Sequence, residues 1–415
     1  MSSSYSRLLP LELLFLGLLL PAAPAAADYL AASLGPNFFD SSILRYSADG
    51  DTIAEGDIPS GTAGLGFAQA VTIGPDGSIY VSHSGQSGGQ ILFFDPAGSP
   101  LTLAGGQPGV FATMPIDEGD QTPPAPAGLA FGPNGNLYVA DREGTQVRVF
   151  DGTTGEYQGD AATDLQAPTP VTFGPDGAFY VGNFNSASVV RVSEGTQSFF
   201  IAPLSSPLQT PSSLLWLQSG NLLVVDLFGN QILEYDAEGA YVGKFADIPP
   251  EIPDPLPPGA NFPTNSPSSL ILDEDGNLLL GVLGITPAND GALLRYDLEG
   301  NLLETVAENI PGVGSVAFIP AADATAGDYN SDGNVNGLDY SKWKADFGKW
   351  VAKGGGADGN GNSIVDAADF TIWRNHVPAV AASATGIPEP ATALLALVGF
   401  TFTMANRRRS SVTRR

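Results

Sequence analysis

Short apolar runs separated by polar turns fill most of the chain between residues 28 and 320, and their arrangement recurs five times. Each copy has a β-rich run, a tight turn, a second run, a polar loop, a third run and another turn. Two copies begin with "AVTIGPDGSIYVSH" (70–83) and "GLAFGPNGNLYVAD" (128–141). Such self-similarity is the signature of a repeat architecture.

The first turn of each copy ends in a glycine. Four of the five glycines follow Asp or Asn, and one follows Ser219. Asp-Gly or Asn-Gly between two β-rich runs is a strong hairpin signal and predicts a tight primed turn with positive φ. We therefore interpret these acids as turn residues rather than calcium ligands. The five turn glycines are Gly77, Gly135, Gly177, Gly220 and Gly276.

The spacing of the turn glycines predicts a β-propeller. Successive glycines lie 58, 42, 43 and 56 residues apart, and the short steps match one propeller blade of about 40–45 residues. Residues 28–58 supply the last three strands of a blade that lacks its first, and "GSVAFIP" at 314–320 supplies a further strand. Pairing these ends would close a six-bladed propeller over residues 28–320 and leave no long open edge.

Two stretches carry a family resemblance. "NLYVADREGTQVRVFD" (136–151) and "NLLVVDLFGNQILEYD" (221–236) resemble the NHL-repeat family of propellers. The resemblance implies a scaffold that is used by binding proteins, lactonases and lyases. It therefore implies a fold but assigns no activity.

A set of polar residues ends the second strand of the repeats, six residues after the turn glycine. One interpretation is that each side chain caps the following loop by bonding backbone N–H groups. The other is a polar ring that forms the ligand face of the propeller, where the long proline-containing loops 105–126 and 248–267 also emerge. The four residues are His83, Asp141, Asn183 and Asp226; Val282 takes the fifth position.

Catalysis has little support in the sequence. The chain has two histidines, His83 and His376, and the second lies outside the propeller. The propeller therefore has neither a two-histidine metal site nor a histidine acid/base pair. We predict no catalytic residue and expect a binding protein. The alternative is a secreted lactonase- or lyase-like propeller enzyme acting on a sugar derivative, with Asp141, Asn183 and Asp226 supplying part of a carboxylate metal site.

Charge and cysteine content change which partners are expected. The chain has 44 acidic and 17 basic residues, a net charge of -27, and no cysteine. The charge argues against nucleic-acid or anionic-membrane binding and favours cations. Without disulfides or thiolate zinc sites, calcium is the expected stabilising cofactor of any small domain.

Two Asp/Asn-rich loops follow a linker at 321–327. Oxygen-bearing groups occupy positions 1, 3, 5, 7, 9 and 12 of each twelve-residue loop, which is the spacing that surrounds one calcium ion. Position 6, where the chain turns sharply, is Gly333 in the first loop and Ser363 in the second, so we expect the second turn to be strained. The predicted ligands are Asp328, Asn330, Asp332, Asn334, Asn336 and Asp339, then Asp358, Asn360, Asn362, the Ile364 carbonyl, Asp366 and Asp369.

The helices predicted after the two loops match each other. Tyr340 corresponds to Phe370 and Trp343 to Trp373, and offsets of three and four residues place the aromatic residues on one helix face. The duplicated loop and helix, residues 328–378, resemble the type I dockerin module. That resemblance implies a small α-helical domain organised by calcium and a cohesin-like or other protein partner.

The dockerin resemblance leaves the partner open. Cellulosomal dockerins often have Ser or Thr at loop positions 10 and 11, where partner specificity is centred. The residues here are Gly337, Leu338, Ala367 and Ala368. Two alternatives therefore stand beside partner binding: a calcium-stabilised spacer without a cohesin partner, and solvated acidic loops without metal.

Both ends of the chain have the pattern of processing segments. Residues 1–27 combine Arg7, an apolar run and small residues, as expected of a signal peptide. After a linker at 379–387, residues 388–415 resemble the PEP-CTERM sorting signal, with Pro388, Glu389 and Pro390 before an apolar helix and a basic tail. The resemblance implies an exosortase-like sorting protease; a plain tail anchor is the alternative. We expect an exported protein of the cell surface or the exopolysaccharide matrix.

Overall fold

The structure is a computed structural model, and it describes the propeller region and the two C-terminal loops in part. The predicted signal peptide and the sorting motif Pro388–Glu389–Pro390 lie outside the described residues, as do the ligand positions Asp332, Asn360 and Asn362. The described residues are 28–35, 40–54, 57–85, 88–117, 122–249, 265–284, 291–319, 326–330, 333–359, 361 and 363–377.

Twenty-three strands are present in these ranges. In chain order they are β1 (Asp28–Ser33), β2 (Ser42–Ser47), β3 (Ala68–Ile73), β4 (Ile79–Gly85), β5 (Gly88–Phe94), β6 (Val110–Thr113), β7 (Pro126–Phe131), β8 (Leu137–Asp141), β9 (Gln146–Phe150), β10 (Tyr157–Ala162), β11 (Pro168–Phe173), β12 (Phe179–Asn183), β13 (Ser188–Ser193), β14 (Thr196–Ile201), β15 (Pro211–Trp216), β16 (Leu222–Asp226), β17 (Gln231–Tyr235), β18 (Tyr241–Asp247), β19 (Asn265–Leu272), β20 (Leu278–Gly284), β21 (Gly291–Tyr296), β22 (Leu302–Ile310) and β23 (Val313–Ile319).

The strands form a six-bladed propeller, as the repeat predicts. Blades 1 to 5 are four-stranded antiparallel sheets, β3–β6, β7–β10, β11–β14, β15–β18 and β19–β22, and blade 6 has the order β2-β1-β23. Strand β1 pairs with β23, with Tyr29 opposite Phe318 and Leu30 opposite Ala317. The two ends of the repeat region therefore close the ring through backbone hydrogen bonds, and the closed ring leaves only the short outer edges of the blades.

Blade 6 differs from the prediction at its outer edge. The sequence predicts a fourth strand there, but the described residues form only isolated bridges between Tyr46 and Thr52 and between Ile43 and Ile58. The Arg45 N–H donates to the Asp57 carboxylate, 2.7 Å away, instead of to a backbone carbonyl. A side chain has taken over a ladder hydrogen bond, so the outermost run does not continue as a strand.

The turn between the first two strands of blades 1 to 5 is also not the primed turn that the sequence predicts. In blade 1 the Gly77 N–H donates to the Gly74 carbonyl at 3.0 Å, and φ is positive (79°) at Gly77. Asp76 is not among the positive-φ residues; its carboxylate accepts from the Ser78 N–H at 3.1 Å. This is a three-residue loop with a left-handed glycine, and Pro75 suits it because proline fixes a negative φ.

Apolar side chains fill the space between neighbouring blades. Along β16, Leu222 and Val224 pack toward blade 3, whereas Leu223 and Val225 pack toward blade 5. All four are fully buried, because the second strand of a blade has a neighbouring blade on each side. Six such clusters, one for each pair of adjacent blades, hold the described part of the ring together.

We name the two ends of the ring by their connections. The turn face carries the turns at Gly77, Gly135, Gly177, Gly220 and Gly276. The loop face is the opposite end, where the second strands finish and the connections between blades lie, because successive strands are antiparallel.

Two helices follow the propeller, α1 (Gly337–Asp346) and α2 (Ala367–His376), and a 3-10 turn occurs earlier at Thr62–Gly64. Helix α1 begins with a capping box between Asn336 and Asp339, which satisfies N–H groups that the first helical turn leaves unpaired. No helix within the described ranges is long and apolar enough to cross a membrane; the predicted sorting helix lies outside them.

The segment between the two helices packs against the turn face. The Ala352 N–H donates to the Asp273 carbonyl at 3.0 Å, and the Gln218 side chain donates to the Gly348 carbonyl. Trp350 packs against the apolar clusters between blades 3 and 4 and between blades 4 and 5. The sequence gives no sign of this contact, which fixes the two loops and helices to the propeller.

Candidate functional site

The two predicted calcium loops have matching geometry at their first position. The Asp328 carboxylate accepts from the Gly333 N–H at 2.7 Å, and the Asp358 carboxylate accepts from the Ser363 N–H at 2.8 Å. Both aspartates are buried. In each loop position 6 therefore donates to position 1, which closes the sharp turn that a calcium loop of this length requires.

Position 12 matches in the same way. The Asn336 N–H donates to the Asp339 carboxylate at 2.7 Å, and the Asp366 N–H donates to the Asp369 carboxylate at 2.7 Å. Asp339 and Asp369 are both 0% exposed. Each loop thus ends in a fully buried carboxylate at the start of its helix.

Each helix also holds the other helix's loop. The Trp343 indole N–H donates to the Asp366 carbonyl at 2.8 Å, and the Trp373 indole N–H donates to the Asn336 carbonyl at 2.7 Å. These carbonyls belong to position 9 of the two loops. These two reciprocal hydrogen bonds relate the two loop-helix units by an approximate two-fold axis. Each loop is therefore held by the helix that follows the other loop.

The residues present fit calcium. They offer carboxylate, amide and backbone oxygens, which a hard cation prefers, and four of the carboxylates are buried, which favours a nearby positive charge. Position 6 is left-handed in both loops, with φ of 81° at Gly333 and 65° at Ser363. No group of three or more His, Cys, Asp or Glu side chains suited to a metal occurs within the described ranges, in which three predicted ligand positions are not included.

Aromatic rings join the two helices, as their matched spacing predicts. The Trp343 and Phe370 ring centroids are 5.1 Å apart, and those of Tyr340 and Trp373 are 5.2 Å apart. Phe347 remains 56% exposed and Leu338 61% exposed. Tyr340 and Phe347 both contact the Trp343 ring, with centroid distances of 5.7 and 5.2 Å, and form an apolar surface, named here the helix face of Tyr340 and Phe347, that the propeller leaves open to solvent. Leu338 lies two positions from Tyr340 and therefore points away from this face.

At the loop face, the strand-end residues make capping contacts. The Asn183 side-chain oxygen accepts from the Gln166 N–H at 3.1 Å, and the Asp226 carboxylate accepts from the Thr210 N–H at 2.8 Å. The donors precede the first strand of the same blade, so each cap ties a connection between blades to the second strand. Their use as a ligand face stays a prediction.

His83 has the same position in blade 1. Its Nδ1 lies 3.3 Å from the backbone nitrogens of Gly66 and Phe67, whose N–H groups both donate to it. Burial lowers the pKa of His83, against a smaller effect of the Phe67 N–H. The imidazole is therefore neutral at pH 7 and acts as a backbone acceptor.

Asp141 is part of a buried ion pair that the sequence did not indicate. Its carboxylate accepts from the Ala125 N–H at 3.0 Å, from the Gly144 N–H at 3.1 Å and from the Arg148 Nε at 2.8 Å. The Arg148 guanidinium also donates to Asp117, which lies in the long loop 105–126. The pair therefore anchors that loop to blade 2.

Replacing Asp226 with asparagine is expected to raise the free energy of unfolding at pH 7 by about 0.5–1 kcal/mol. Burial raises the pKa of Asp226, and this outweighs the hydrogen bonds from Thr210 and Gln231. With a raised folded pKa, the contribution of Asp226 to stability is present at low pH and is lost as the pH rises through that value. Asn183 shows that an amide fulfils the same capping role.

Urea unfolding of Asp226→Asn and the wild type at pH 4 and pH 7 measures this effect. The gain is expected to be larger at pH 7. A loss of stability at pH 7 would show that the ionised carboxylate is needed at this position.

Comparisons with known proteins bear on the propeller. The family model described as NHL repeat matches residues 125–150, so the resemblance proposed for 136–151 is confirmed in blade 2. No match was found among curated proteins.

Solved structures similar to this chain are remote. A nidogen/laminin complex has 12% identity and a TM-score of 0.49, over 71% of this chain and 98% of that chain. A protein of unknown function from Bacteroides caccae has 16% identity and a TM-score of 0.48, over 72% and 99%. Virginiamycin B lyase from Staphylococcus aureus has 18% identity and a TM-score of 0.43, over 64% and 76%.

Proposed function

We propose that this is an exported binding protein of the cell surface or exopolysaccharide matrix, with the propeller as recognition scaffold. The observation that carries the proposal is the use of the strand-end side chains. Asp141, Asn183 and Asp226 bond backbone N–H groups of their own blades, which serves a rigid scaffold that presents loops. A lactonase-like site would instead need such groups to converge on one metal.

We assign the two C-terminal loops to a calcium-stabilised, dockerin-like module. Calcium would supply the positive charge that the buried Asp328, Asp339, Asp358 and Asp369 need. The helix face of Tyr340 and Phe347 is the surface offered to a cohesin-like or other protein partner. Its exposure while the module is fixed to the turn face supports this assignment.

The ends of the chain complete the proposal. A signal peptide at 1–27 would direct export, and the motif Pro388–Glu389–Pro390 would present the chain to an exosortase-like protease. The apolar helix would hold the protein at the membrane before sorting.

Co-sedimentation of the exported protein with purified exopolysaccharide and with cell envelopes, in calcium and in EGTA, tests the function. Binding to either fraction without turnover of sugar lactones is expected. Absence of binding to both, or lactone hydrolysis that Asp141→Asn abolishes, would overturn it.

The partner surface has a matched control. Phe347→Ala is expected to reduce envelope binding about tenfold, the usual effect of truncating a contributing interface aromatic. Phe199 is 60% exposed on the outer strand of blade 3, so Phe199→Ala removes a similar ring from elsewhere and should leave binding unchanged. Equal effects of the two variants would exclude the helix face as the contact.

A further inference from the structure

Three side chains form a continuous row across the loop face. Arg142 follows the end of β8, Phe184 follows the end of β12, and Phe228 comes two residues after the end of β16. Arg142 and Phe184 therefore occupy corresponding places in blades 2 and 3, and Phe228 lies one position further along in blade 4. None of them belongs to the capping set or to the calcium loops.

The three side chains touch in order. The Arg142 guanidinium carbon lies 4.4 Å from the centre of the Phe184 ring. The Phe184 and Phe228 ring centroids are 5.6 Å apart at an interplanar angle of 77°. We call Arg142, Phe184 and Phe228 the aromatic–arginine row.

Backbone hydrogen bonds hold the row in place. The Arg142 N–H donates to the Ala125 carbonyl at 2.9 Å, and the Phe184 N–H donates to the Ala167 carbonyl at 3.1 Å. The side chains are half-buried, so each retains an accessible surface. A row fixed in this way loses little conformational entropy when it binds a ligand.

Arg142 differs from the other arginines of the propeller in its partners. Arg45, Arg148, Arg191 and Arg295 each form an ion pair with a carboxylate. Within the described residues no carboxylate lies at ion-pair distance from Arg142, although the chain has a net charge of -27. Burial lowers its pKa, and the neighbouring Glu143 offsets only part of that effect. A partly desolvated, stacked guanidinium without an anion is suited to an external one.

We propose that the aromatic–arginine row binds a sugar that carries a carboxylate. The guanidinium would hold the carboxylate with two parallel hydrogen bonds, a geometry for which arginine is suited. The rings of Phe184 and Phe228 would cover the apolar C–H face of the sugar ring, since they offer flat apolar surface beside the charge. The inference rests on the proposed function and names the ligand class of the propeller.

The net negative charge of the chain favours binding of glycans with few carboxylates over binding of densely charged ones. A dense polyanion would be repelled by a protein of net charge -27. At physiological ionic strength, charges beyond about 8 Å are largely screened, so a single carboxylate among neutral sugars is affected mainly by the nearest charges, those of Arg142 and its neighbour Glu143. An acidic peptide such as tetraglutamate could supply the carboxylate, but its side chains have no ring to cover the two phenylalanines.

Isothermal titration of the exported protein, in calcium buffer, with a glucuronate-containing disaccharide and with cellobiose tests the site. The acidic disaccharide should bind more tightly. Arg142→Gln is expected to weaken its binding about tenfold or more, as loss of a charge-assisted pair does, with cellobiose binding unchanged. Phe184→Leu is expected to weaken binding of both sugars.

Arg191→Gln is the matched control, because Arg191 carries the same charge but is paired with Asp176 at 2.7 Å beside a turn-face loop. It should bind like the wild type, and unchanged urea midpoints would confirm that all variants are folded. Equal affinity for both disaccharides, or wild-type affinity in Arg142→Gln, would overturn the site. Tighter binding of a tetraglutamate peptide than of the acidic disaccharide would overturn the sugar assignment.

The failure of this inference can be told apart from failure of the proposed function. If the wild type co-sediments with exopolysaccharide but does not bind the acidic disaccharide, only the ligand assignment is wrong. If the wild type sediments with neither exopolysaccharide nor envelopes, the proposed function itself is wrong.

Discussion

Replacing Arg148 with methionine is expected to lower the free energy of unfolding by about 3–5 kcal/mol. Arg148 is 1% exposed and its partner Asp141 is 0% exposed, with 2.8 Å between Nε and the carboxylate oxygen. Methionine keeps much of the side-chain volume but leaves the Asp141 carboxylate buried without a cation. The other Asp141 oxygen already accepts two backbone N–H groups, so the aspartate cannot turn toward solvent without breaking the cap.

The same substitution should release the long loop 105–126. Both terminal nitrogens of Arg148 donate to Asp117, at 3.3 and 3.0 Å. Limited proteolysis of Arg148→Met is therefore expected to cut near Asp117 at least several-fold faster than in the wild type. Urea unfolding measures the stability change.

The pH dependence of loop cleavage provides a second measurement on Arg148→Met. The Arg148 hydrogen bond, followed by that of Gln146, holds the pKa of Asp117 below its usual value. A depressed pKa contributes stability above the unfolded-state pKa, and that stability is lost as the pH falls through the folded pKa. The wild type should thus lose part of the loop's protection below about pH 4. Arg148→Met should lose less there, because only the Gln146 hydrogen bond to Asp117 remains in that variant.

Arg191→Met separates burial from charge. Arg191 and Asp176 form an ion pair of 2.7 Å with side chains 34% and 37% exposed. Solvent screens such a pair, so its loss should cost at most about 1 kcal/mol. A cost equal to that of Arg148→Met would contradict the assignment of the larger effect to burial.

Local sequence signals were sufficient to predict the ring. Turn glycines at regular spacing and the run at 314–320 predict six blades and their closure, because each signal concerns neighbouring residues or a strand that lacks a partner. Details that depend on competing acceptors were not predictable. Asp57 replaces a backbone carbonyl beside Arg45, and the turn in blade 4 has the same Gly220 N–H to Leu217 carbonyl bond without a proline.

The roles of the strand-end residues show a second limit. Sequence spacing places Asp141 and Asn183 at the same register, but both the capping and the ligand-face interpretations fit that register. The choice depends on N–H groups that precede them by 16 and 17 residues, Ala125 and Gln166. Arg148 offered one signal, a charged residue in the apolar run "QVRVF", whose neighbours Val147 and Phe150 are buried.

Long-range packing of the module could not be inferred at all. Trp350 lies between the two calcium loops in a lysine-containing stretch that has the pattern of a solvated connection. Trp350 contacts residues of blades 3 to 5. One residue of these clusters, Trp216, is more than a hundred positions away from Trp350 along the chain. No periodicity or motif encodes such a pairing.

Removing calcium is expected to unfold residues 326–377 in a separate, earlier transition. Few side chains form the core of this part: Tyr329, Val351, Ala357 and Val365, with two tryptophans packed beside them. A core of that size is insufficient on its own. Calcium at 100 to 1,000 times its dissociation constant would contribute about 2.7–4.1 kcal/mol per site.

Tryptophan emission and thermal melting of the exported protein, in calcium and in EGTA, measure this transition. Trp343 and Trp373 should become solvated in EGTA and shift emission to longer wavelength, because their indole N–H groups are bound to the loops. Asp358→Ala should produce part of the shift in calcium.

Ser363→Gly should do the opposite and stabilise the calcium form by about 1 kcal/mol, since φ is 65° at Ser363 and glycine adopts that conformation without strain. Identical emission and melting in calcium and EGTA would exclude a calcium-dependent module, and a destabilising effect of Ser363→Gly would show that the left-handed turn is not the weak point of the second loop.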